Sequence, residues 1–345
     1  MKKWLVLSAF IGILVMLTGC GQLDVVTKSE FALDTVITLT VYGETDSTIL
    51  DQPIETLRDL DNQLSAYNEE SEIYQINAAA GEHPVIVSQE TFELIEKGLA
   101  YSKLSEGQFD ITIGPLIDLW GIEAPGEGQV PTQAAIDEAL ALVDYTQVQV
   151  NAENRSVYLP QKGMKINLGS IAKGYIGDIL KAEMKASGID HAVLNLGGNV
   201  VLIGGKTDHQ AFSVGIENPL DPDEDPIGSL EVSDKAVVSS GDYERYFEAD
   251  GVRYCHILDP QTGYPANAGV HQTTIIANAS VDADALSTIA FLCGPEKMAT
   301  IIDQEEGIDV IYVTTDNQII VPTDLKNTFE FNTQKYGDTF ALVYQ

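Results

Sequence analysis

Hydrophobic and polar residues follow two different periods along this chain. In segment 33–43 (LDTVITLTVYG) apolar residues alternate with polar ones, which is typical of a strand with one buried face. In segment 48–66 the apolar residues recur every three or four positions, which predicts a helix with one buried stripe. The residues of that stripe are Leu50, Ile54, Leu57, Leu60 and Leu64. The pattern therefore predicts a mixture of strands and helices.

Turn and capping residues divide the rest of the chain into further predicted elements. Helices are predicted at 88–105, 132–143, 170–187, 281–293 and 295–304. Single strands are predicted at 191–195, 199–204, 211–216, 228–233, 236–240 and 270–278, and hairpins at 148–160, 245–257 and 308–321. Segment 64–84 is polar and turn-rich, so a loop is predicted there, and no element is predicted for 322–345. Runs of neighbouring strands predict the α+β class with a largely antiparallel sheet.

The first twenty residues have the composition of an export signal. Lys2 and Lys3 precede an apolar stretch from Leu5 to Leu17, which is too short for a typical membrane span. The Leu-Thr-Gly-Cys sequence that follows predicts cleavage before Cys20 and acylation of that cysteine. The alternative is a plain signal peptide that happens to contain a cysteine. The expected organisation is a signal peptide at 1–19, a tether at 20–32 and one main domain at 33–345.

Net charge and cysteine content narrow the possible partners. The chain has 52 acidic and 19 basic residues and a formal net charge of −33. Such a surface repels nucleic acid and anionic lipid, so we expect no nucleic-acid partner and a membrane attachment made by lipid alone, on the extracytoplasmic face. Besides Cys20 the chain contains Cys255 and Cys293, which is no disulfide framework. Two free thiols and a single bridge between them remain alternatives.

One loop combines glycines with a helix start and a lysine. In NLGSIAKGYIGD (167–178), Gly169 and Ser170 precede the predicted helix, where free N–H groups can bind an anion, and Lys173 lies one turn further on. Simple capping beside a surface lysine is the alternative interpretation.

Three more loops carry residues that could touch a ligand. LNLGGNV (194–200) has a glycine pair between two apolar strands, which a tight turn would also explain. FDITIGPLIDLWG (109–121) places Asp110 among aromatic and aliphatic residues, where it could be a buried, hydrogen-bonded carboxylate. RYCHILDPQTGYP (253–265) puts His256 on a strand before a long polar turn, although a lone strand histidine is commonly structural.

The segment SVDADALSTIAFL (280–292) begins an apolar helix with two carboxylates. Asp282 or Asp284 could cap this helix and complement its dipole. Alternatively, Asp284 and Thr288, four residues apart, share one helix face and could bind a hard cation such as Mg²⁺. Capping alone assigns no role to Thr288.

Six segments together resemble the ApbE family of flavin transferases, the FAD:protein FMN transferases. They are FDITIGPLIDLWG, NLGSIAKGYIGD, LNLGGNV, SSGDYERYF, HILDPQTGYP and VDADALST, in the order and spacing of that family. The resemblance covers about 31–315 and implies an α+β core related to the T-fold. It implies that Mg²⁺ assists cleavage of FAD, that FMN passes to a Thr or Ser hydroxyl of an extracytoplasmic acceptor protein, and that AMP is released. It makes 33–345 the flavin transferase catalytic domain.

Site residues follow from the resemblance, motif by motif. It implies that Asp284 and Thr288 bind the metal, with a third ligand at Ser170. The implied FAD contacts are Leu33, Ser65, Ala66, Tyr67, Gln108, Phe109, Asp110, Asn167, Lys173 and Leu258. The family usually has Asp where this chain has Asn167, so one contact to the flavin or ribose is expected to lose its charge while keeping an amide that can hydrogen-bond.

The attacking hydroxyl must lose a proton. His256 is the candidate general base, with Asp282 behind it or at the helix start. A FAD pyrophosphatase, in which water replaces the acceptor hydroxyl, is an alternative enzyme. A lipoprotein that binds flavin without turnover is the alternative outside enzymes, and the presence of Asp284, Thr288 and His256 argues against it.

Overall fold

A nine-stranded sheet organises the protein, seen here in a computed structural model that describes residues 24–122, 128–302 and 305–345. The predicted signal peptide and Cys20 lie outside these residues. The helices are α1 (Asp51–Leu64), α2 (Glu72–Ala78), α3 (Gln89–Leu104), α4 (Gly114–Trp120), α5 (Gln133–Leu140), α6 (Ala172–Ala186), α7 (Ser280–Ile302) and α8 (Thr333–Tyr336).

The strands fall into one large sheet and three small ones. They are β1 (Val25–Ala32), β2 (Thr35–Tyr42), β3 (Val85–Ile86), β4 (Gln149–Asn151), β5 (Ser156–Tyr158), β6 (Ala192–Leu196), β7 (Asn199–Ile203), β8 (Phe212–Ile216), β9 (Gly228–Val232), β10 (Ala236–Gly241), β11 (Tyr246–Ala249), β12 (Val252–Cys255), β13 (Val270–Ala277), β14 (Asp309–Thr314), β15 (Gln318–Val321), β16 (Phe329–Phe331) and β17 (Ala341–Tyr344). The large sheet has the order β1-β2-β6-β7-β10-β13-β14-β15-β17, and every pair is antiparallel except β15 with β17. The α+β class with a largely antiparallel sheet is therefore confirmed.

Different layers cover the two faces of the large sheet. Leu39, Leu194 and Val201 point to the face on which α1, α6 and α7 pack, and they belong to the largest apolar core. Leu202 and Val237 point to the opposite face and join a second core with the small sheet β16-β9-β8. This alternation follows from the period of two along each strand. It leaves the small sheet and the helices on opposite sides of the same strands.

Most of the predicted elements are present. Leu50, Ile54, Leu57, Leu60 and Leu64 are all buried, as the stripe predicted. The helix predicted after Ser88 is α3, and the Ser88 hydroxyl caps it. In the β11–β12 hairpin, Asp250 and Gly251 both have positive φ, as a two-residue turn of this hand requires.

Two sequence predictions are wrong in part, and one segment without a prediction contains regular structure. Residues 25–32 of the predicted tether form β1, which pairs with β2 along its whole length. The predicted loop 64–84 contains α2, because Ser71 caps it and the buried residues Ile73 and Ile76 anchor it. The unassigned segment 322–345 contains α8 and supplies β16 and β17, which pair with β9 and β15.

Helix α7 consists of two helices joined at a sharp break. Gly294 has φ 71° and ψ 174°, which interrupts the helical backbone just before Pro295. This agrees with the predicted division into helices at 281–293 and 295–304. Within the described ranges α7 is the one helix long and apolar enough to cross a membrane. It packs against α6, β10 and β13, which makes it a core helix of this fold.

Candidate active site

Helices α6 and α7 meet at their N-terminal ends, and each binds the other's free amides. The Gly174 amide in α6 donates a 2.8 Å hydrogen bond to Oδ2 of Asp284 in α7. In return, the Asp178 carboxylate in α6 accepts hydrogen bonds from the amides of Ser280 (2.8 Å) and Val281 (2.9 Å). Asp178 therefore caps α7, a role that the sequence analysis had given to Asp282 or Asp284.

Glycines allow this close approach of the two helices. A Cβ atom on Gly174 would lie 2.3 Å from the carbonyl oxygen of Ser280 in α7, and one on Gly177 would lie 3.2 Å from Oγ of the same serine. The spacing of the two glycines in AKGYIGD was a sequence signal for this contact that we did not use.

Asp284 is an almost fully buried carboxylate, 4% exposed. Burial raises its pKa, while the Lys173 charge and the Gly174 amide act in the opposite direction. Its Oδ1 atom receives no hydrogen bond from the described residues, since the one bond to this side chain goes to Oδ2. An almost fully buried carboxylate with one oxygen that no described residue binds is a site that a bound cation would complete.

Thr288 lies one turn after Asp284 on the same face of α7 and is half-buried. Its hydroxyl has no hydrogen-bond partner in the part of the chain that the structure describes. Ser170 is also half-buried, in the turn that leads into α6. The described residues contain no group of three or more His, Cys, Asp or Glu side chains arranged for a metal. A metal here would therefore depend on one carboxylate and on hydroxyl or carbonyl oxygens, a donor set that suits a hard cation such as Mg²⁺.

Lys173 lies among the ionisable groups of the site. Its positive charge lowers the pKa values of Asp284, Glu244 and His256. The structure therefore brings together the predicted residues Lys173, Asp284 and His256 from three separate segments. It adds Glu244, which the sequence analysis did not select.

His256 is held in one orientation by the backbone. Its Nδ1 atom lies 3.2 Å from the carbonyl oxygen of Arg245. Burial, together with the charges of Arg245 and Lys173, lowers the pKa of His256 to about 4, so the ring is neutral at pH 7. Since a carbonyl can only accept, Nδ1 carries the proton and Nε2 keeps its lone pair. The ring can therefore accept a proton through Nε2.

Asp282 does not support His256, and that prediction was wrong. Oδ1 of Asp282 lies 2.7 Å from the Tyr101 hydroxyl and 2.7 Å from Nζ of Lys97, both in α3. Two residues along a helix correspond to about 200°, so Asp282 and Asp284 point to opposite sides of α7. Asp282 therefore joins α7 to α3.

Glu244 is an acid inside the cleft described below. Its side chain is exposed to the solvent of the cleft, while the residues packed around it desolvate the carboxylate and raise its pKa to about 7, against the lowering effect of Lys173. The signal in the sequence was its place in SSGDYERYF, next to Arg245. Nothing in local spacing indicated that it would face Lys173.

A cleft of about 850 Å³ opens beside these groups. Lys173, Glu244 and Arg245 line it together with the β1–β2 turn at Leu33 and Asp34. Both turn residues have positive φ, 54° and 57°. This conformation is uncommon for leucine and costs backbone energy, so the turn is held by its surroundings.

Several of the remaining predicted flavin contacts lie near Leu33. Burial raises the pKa of Asp61 in α1, and the nearby Leu33 amide acts in the opposite direction. Ser65 follows that helix, and its hydroxyl accepts hydrogen bonds from the amides of Tyr67 (3.2 Å) and Asn68 (3.1 Å). The Tyr67 side chain is 50% exposed, and Ala66 is half-buried.

The segment at 108–110 presents less side-chain surface than we expected. Asp110 is buried, and its two oxygens accept hydrogen bonds from the amides of Thr112 (2.7 Å) and Tyr145 (2.9 Å). Phe109 is buried as well, and only Gln108 is half-buried. Asp110 is therefore a buried, hydrogen-bonded carboxylate, which was the alternative interpretation of this residue.

Leu258 and Asn167 are the other two predicted flavin contacts. Leu258 is buried in a small core with Trp120 and Phe247. Nε2 of Gln261, three residues later, donates to the carbonyl oxygen of Gly107 (2.9 Å), which joins the two loops. The Asn167 side chain accepts from the Gly169 amide (2.9 Å) and shapes the turn before α6. This leaves its amide nitrogen free to donate.

Comparisons with known proteins agree with this arrangement. A model of the ApbE family matches residues 33–312. The FAD:protein FMN transferase of Klebsiella pneumoniae (strain 342) is 36% identical over 305 residues, which are 88% of this chain and 94% of the relative. That of Treponema pallidum (strain Nichols) is 33% identical over 333 residues, or 90% of this chain and 92% of the relative.

Solved structures show the same fold. The ApbE protein of Thermotoga maritima superposes with a TM-score of 0.80 at 34% identity, covering 88% of this chain and 99% of that one. The flavin transferase ApbE from Vibrio cholerae has a TM-score of 0.76 at 27% identity, covering 85% and 94%. The family match, the identities and the shared fold extend over most of the chain, and we conclude that this protein is a member of the ApbE family.

Proposed function

We propose that this protein transfers FMN from FAD to a Thr or Ser hydroxyl of an acceptor protein and releases AMP. The observation that carries the proposal is the grouping of Glu244, His256 and Asp284 around the Lys173 charge, with Lys173 and Glu244 lining one cleft. Its support includes the two relatives described above, which are named FAD:protein FMN transferases.

The substrate's pyrophosphate would bring negative charge into a strongly acidic protein, so the site must supply positive charge. Lys173 lies in the first turn of α6, where its charge adds to that of the helix N-terminus. Asp284, Thr288 and the turn at Ser170 would hold Mg²⁺, because they offer a carboxylate oxygen and hydroxyls that have no partner among the described residues. When bound, the ion would offset phosphate charge and stabilise the AMP leaving group.

The chemical step exchanges one phosphorus–oxygen bond for another. The acceptor oxygen attacks the phosphorus of the FMN moiety, the bond to the AMP phosphate breaks, and AMP leaves. His256 takes the hydroxyl proton through Nε2, while the Arg245 carbonyl keeps the ring in the required tautomer. Glu244 is placed to orient the incoming hydroxyl, since it faces the cleft beside Arg245.

The expected lipid anchor would give this activity its location. We propose that acylation at Cys20 holds the enzyme on the extracytoplasmic face of the cell membrane. A membrane-attached acceptor would then share one surface with the enzyme, which raises its effective concentration.

The test is incubation of the purified protein with FAD, Mg²⁺ and candidate extracytoplasmic acceptors. In-gel flavin fluorescence and intact mass report covalent labelling, and chromatography reports AMP. We expect an acceptor mass increased by one FMN less water, with AMP formed in equal amount. AMP and FMN without labelling would identify a pyrophosphatase, and bound FAD without AMP would identify a flavin-binding lipoprotein.

A further inference from the structure

Strand β8 runs along one wall of the cleft with one edge unpaired. It pairs with β9 on one side, and no strand within the described ranges pairs with its other side. Residues 212–215 of β8 are consecutive, and all of them line the cleft. Because successive side chains of a strand point to opposite faces, a cleft that meets consecutive residues meets the strand at its edge.

Hydrogen bonding in the small sheet identifies the β9 groups that face β8. The Glu231 amide of β9 donates to the carbonyl oxygen of Thr328, on the β16 side. Along a strand, the backbone N–H and C=O groups of successive residues point to the neighbouring strands on opposite sides. Those of Gly228, Leu230 and Val232 therefore point towards β8.

The partners of these three residues are Phe212, Val214 and Ile216. Ser213 and Gly215 therefore direct their N–H and C=O groups away from β9, towards the open edge. Outside the strand pairs, neither amide donates a hydrogen bond within the described residues. An open edge with regularly spaced donors and acceptors is complementary to another extended backbone.

The side chains around this edge are suited to a strand with apolar side chains on one face. Val193 and Val200 of the large sheet and Val214 of β8 are only partly buried against the second core, and all three line the cleft. A strand added to β8 would bury alternate side chains against them.

The predicted flavin contacts leave this part of the cleft free. Of those contacts only Leu33 and Lys173 line the cleft, which Glu244 and Arg245 line as well. The contacts at 65–67, 108–110 and Leu258 do not line it. The flavin would therefore approach Lys173 from outside the β8 portion, which leaves β8 for the second substrate.

We propose that the acceptor polypeptide binds as an extended strand paired with the free edge of β8, which delivers its Thr or Ser hydroxyl to the site beside Lys173. This inference rests on the proposed flavin transfer. The edge recognises backbone, so it would accept different acceptor sequences that share an extended segment around the hydroxyl.

The first test replaces Ser213, whose amide points to the open edge. Ser213→Pro removes that amide without removing a bond to β9, and an edge strand tolerates such a proline. Ser213→Ala is the matched control, because it removes the hydroxyl and keeps the amide. The probe is a library of ten-residue peptides with a single threonine at position six, incubated with FAD and Mg²⁺. The best-labelled peptide is then used for kinetics.

We expect Ser213→Pro to lower kcat/KM for this peptide about tenfold or more, the value of one lost hydrogen bond. Ser213→Ala should retain it, and AMP release from FAD in the absence of peptide should be unchanged in both variants. Equal labelling by Ser213→Pro and the unaltered enzyme would overturn the proposal. AMP release by the unaltered enzyme without labelling of any peptide or acceptor would overturn the flavin transfer as well.

A second test leaves the enzyme unaltered and therefore cannot fail through misfolding. The same peptide is N-methylated at one backbone amide at a time. If the peptide pairs with β8, every second peptide amide donates to the strand. Methylation of those amides should abolish labelling, and methylation of the amides that point away from β8 should not. Uniform sensitivity, or none, would contradict strand pairing even if the Ser213 variants behave as expected.

Discussion

Oδ2 of Asp284 accepts a 2.8 Å hydrogen bond from the Gly174 amide, so the first turn of α6 positions the buried carboxylate of α7. This contact leaves Oδ1 without a donor among the described residues, and therefore available to the proposed metal. Asp178 forms the reverse contact at the start of α7, and the two helices are thereby fixed to each other at both ends of the contact.

Metal removal should abolish flavin transfer, and added Mg²⁺ should restore it. Asp284→Asn should lose most activity because it removes the charged ligand, while its unfolding temperature should equal or exceed that of the unaltered protein. The amide keeps an acceptor for Gly174 and avoids burying a charge. AMP release and thermal unfolding in EDTA measure the two effects. An unchanged rate in EDTA would refute the metal assignment.

Thr288→Val should weaken Mg²⁺ dependence selectively. The hydroxyl has no partner among the described residues, so its loss should cost the fold little. Ser287→Ala is the control, because the Ser287 hydroxyl contacts Ser240 (2.8 Å) and donates to the Asp284 carbonyl oxygen (2.8 Å). That variant should lose about 1 kcal/mol of stability and keep its Mg²⁺ requirement. Titration of AMP release with Mg²⁺ separates the two, and identical titration curves would argue against Thr288 as a ligand.

Gly174→Ala should destabilise the protein and impair activity together. The new methyl group would lie 2.3 Å from the Ser280 carbonyl oxygen, which forces α6 and α7 apart. Overpacking of this kind costs about 1–3 kcal/mol. Ala182→Gly, on the exposed side of the same helix, should cost about 0.5–1 kcal/mol and leave catalysis intact. Denaturant unfolding and AMP release are measured on both variants, and a fully active Gly174→Ala enzyme would exclude a role for this contact.

The pH dependence should show that His256 stays neutral well into the acidic range. Its pKa in the folded protein, about 4, lies below the ordinary value of 6.5, so the folded state binds fewer protons than the unfolded state between these values. The contribution of neutral His256 to the free energy of unfolding is present above about pH 6.5, and it is lost as the pH falls towards 4. At saturating Mg²⁺, the pH profile of kcat/KM should have no inflection near pH 6.5 that arises from His256. An inflection near pH 7 that disappears in the Glu244→Gln variant would belong to Glu244, whose pKa is about 7.

Lys173→Ala should raise KM for FAD and change kcat little. Its charge meets the phosphates in the bound substrate as much as in the transition state, so it contributes largely uniform binding. The loss should be about 1–3 kcal/mol, about tenfold to a hundredfold in affinity. His256→Ala should show the reverse, with FAD bound and kcat reduced. A collapse of kcat at saturating FAD in Lys173→Ala would place the lysine in the chemical step.

Asp282→Asn should leave kcat nearly unchanged, since Asp282 contacts Lys97 and Tyr101. An exposed pair of this kind is worth about 0–1 kcal/mol. Asp178→Asn is the informative comparison, because it weakens the cap of α7 and should cost about 1–2 kcal/mol. Kinetics and thermal unfolding distinguish them, and a large loss of kcat in Asp282→Asn would restore the predicted link to His256.

The sequence alone determined what depends on neighbouring residues. Periods of two and of three to four, the Ser88 cap and the Asp250-Gly251 turn are local, so they predicted most helices, most strands and the class. The ordered motifs also identified the family. Elements that depend on packing were missed: β1 and β17 acquire their strand character by pairing with β2 and β15, and α2 is held by the core that buries Ile73 and Ile76.

Tertiary structure decided which side chains face one another, because direction and burial depend on how separate elements pack. It turned Asp282 towards α3 and Asp284 towards α6, although both belong to one short motif. It occupied the Asp110 oxygens with backbone amides, and it brought Glu244 to Lys173. The spacing of residues in the sequence shows which side chains share one face of a helix. What that face contacts is set by the packing of elements that are distant in the sequence.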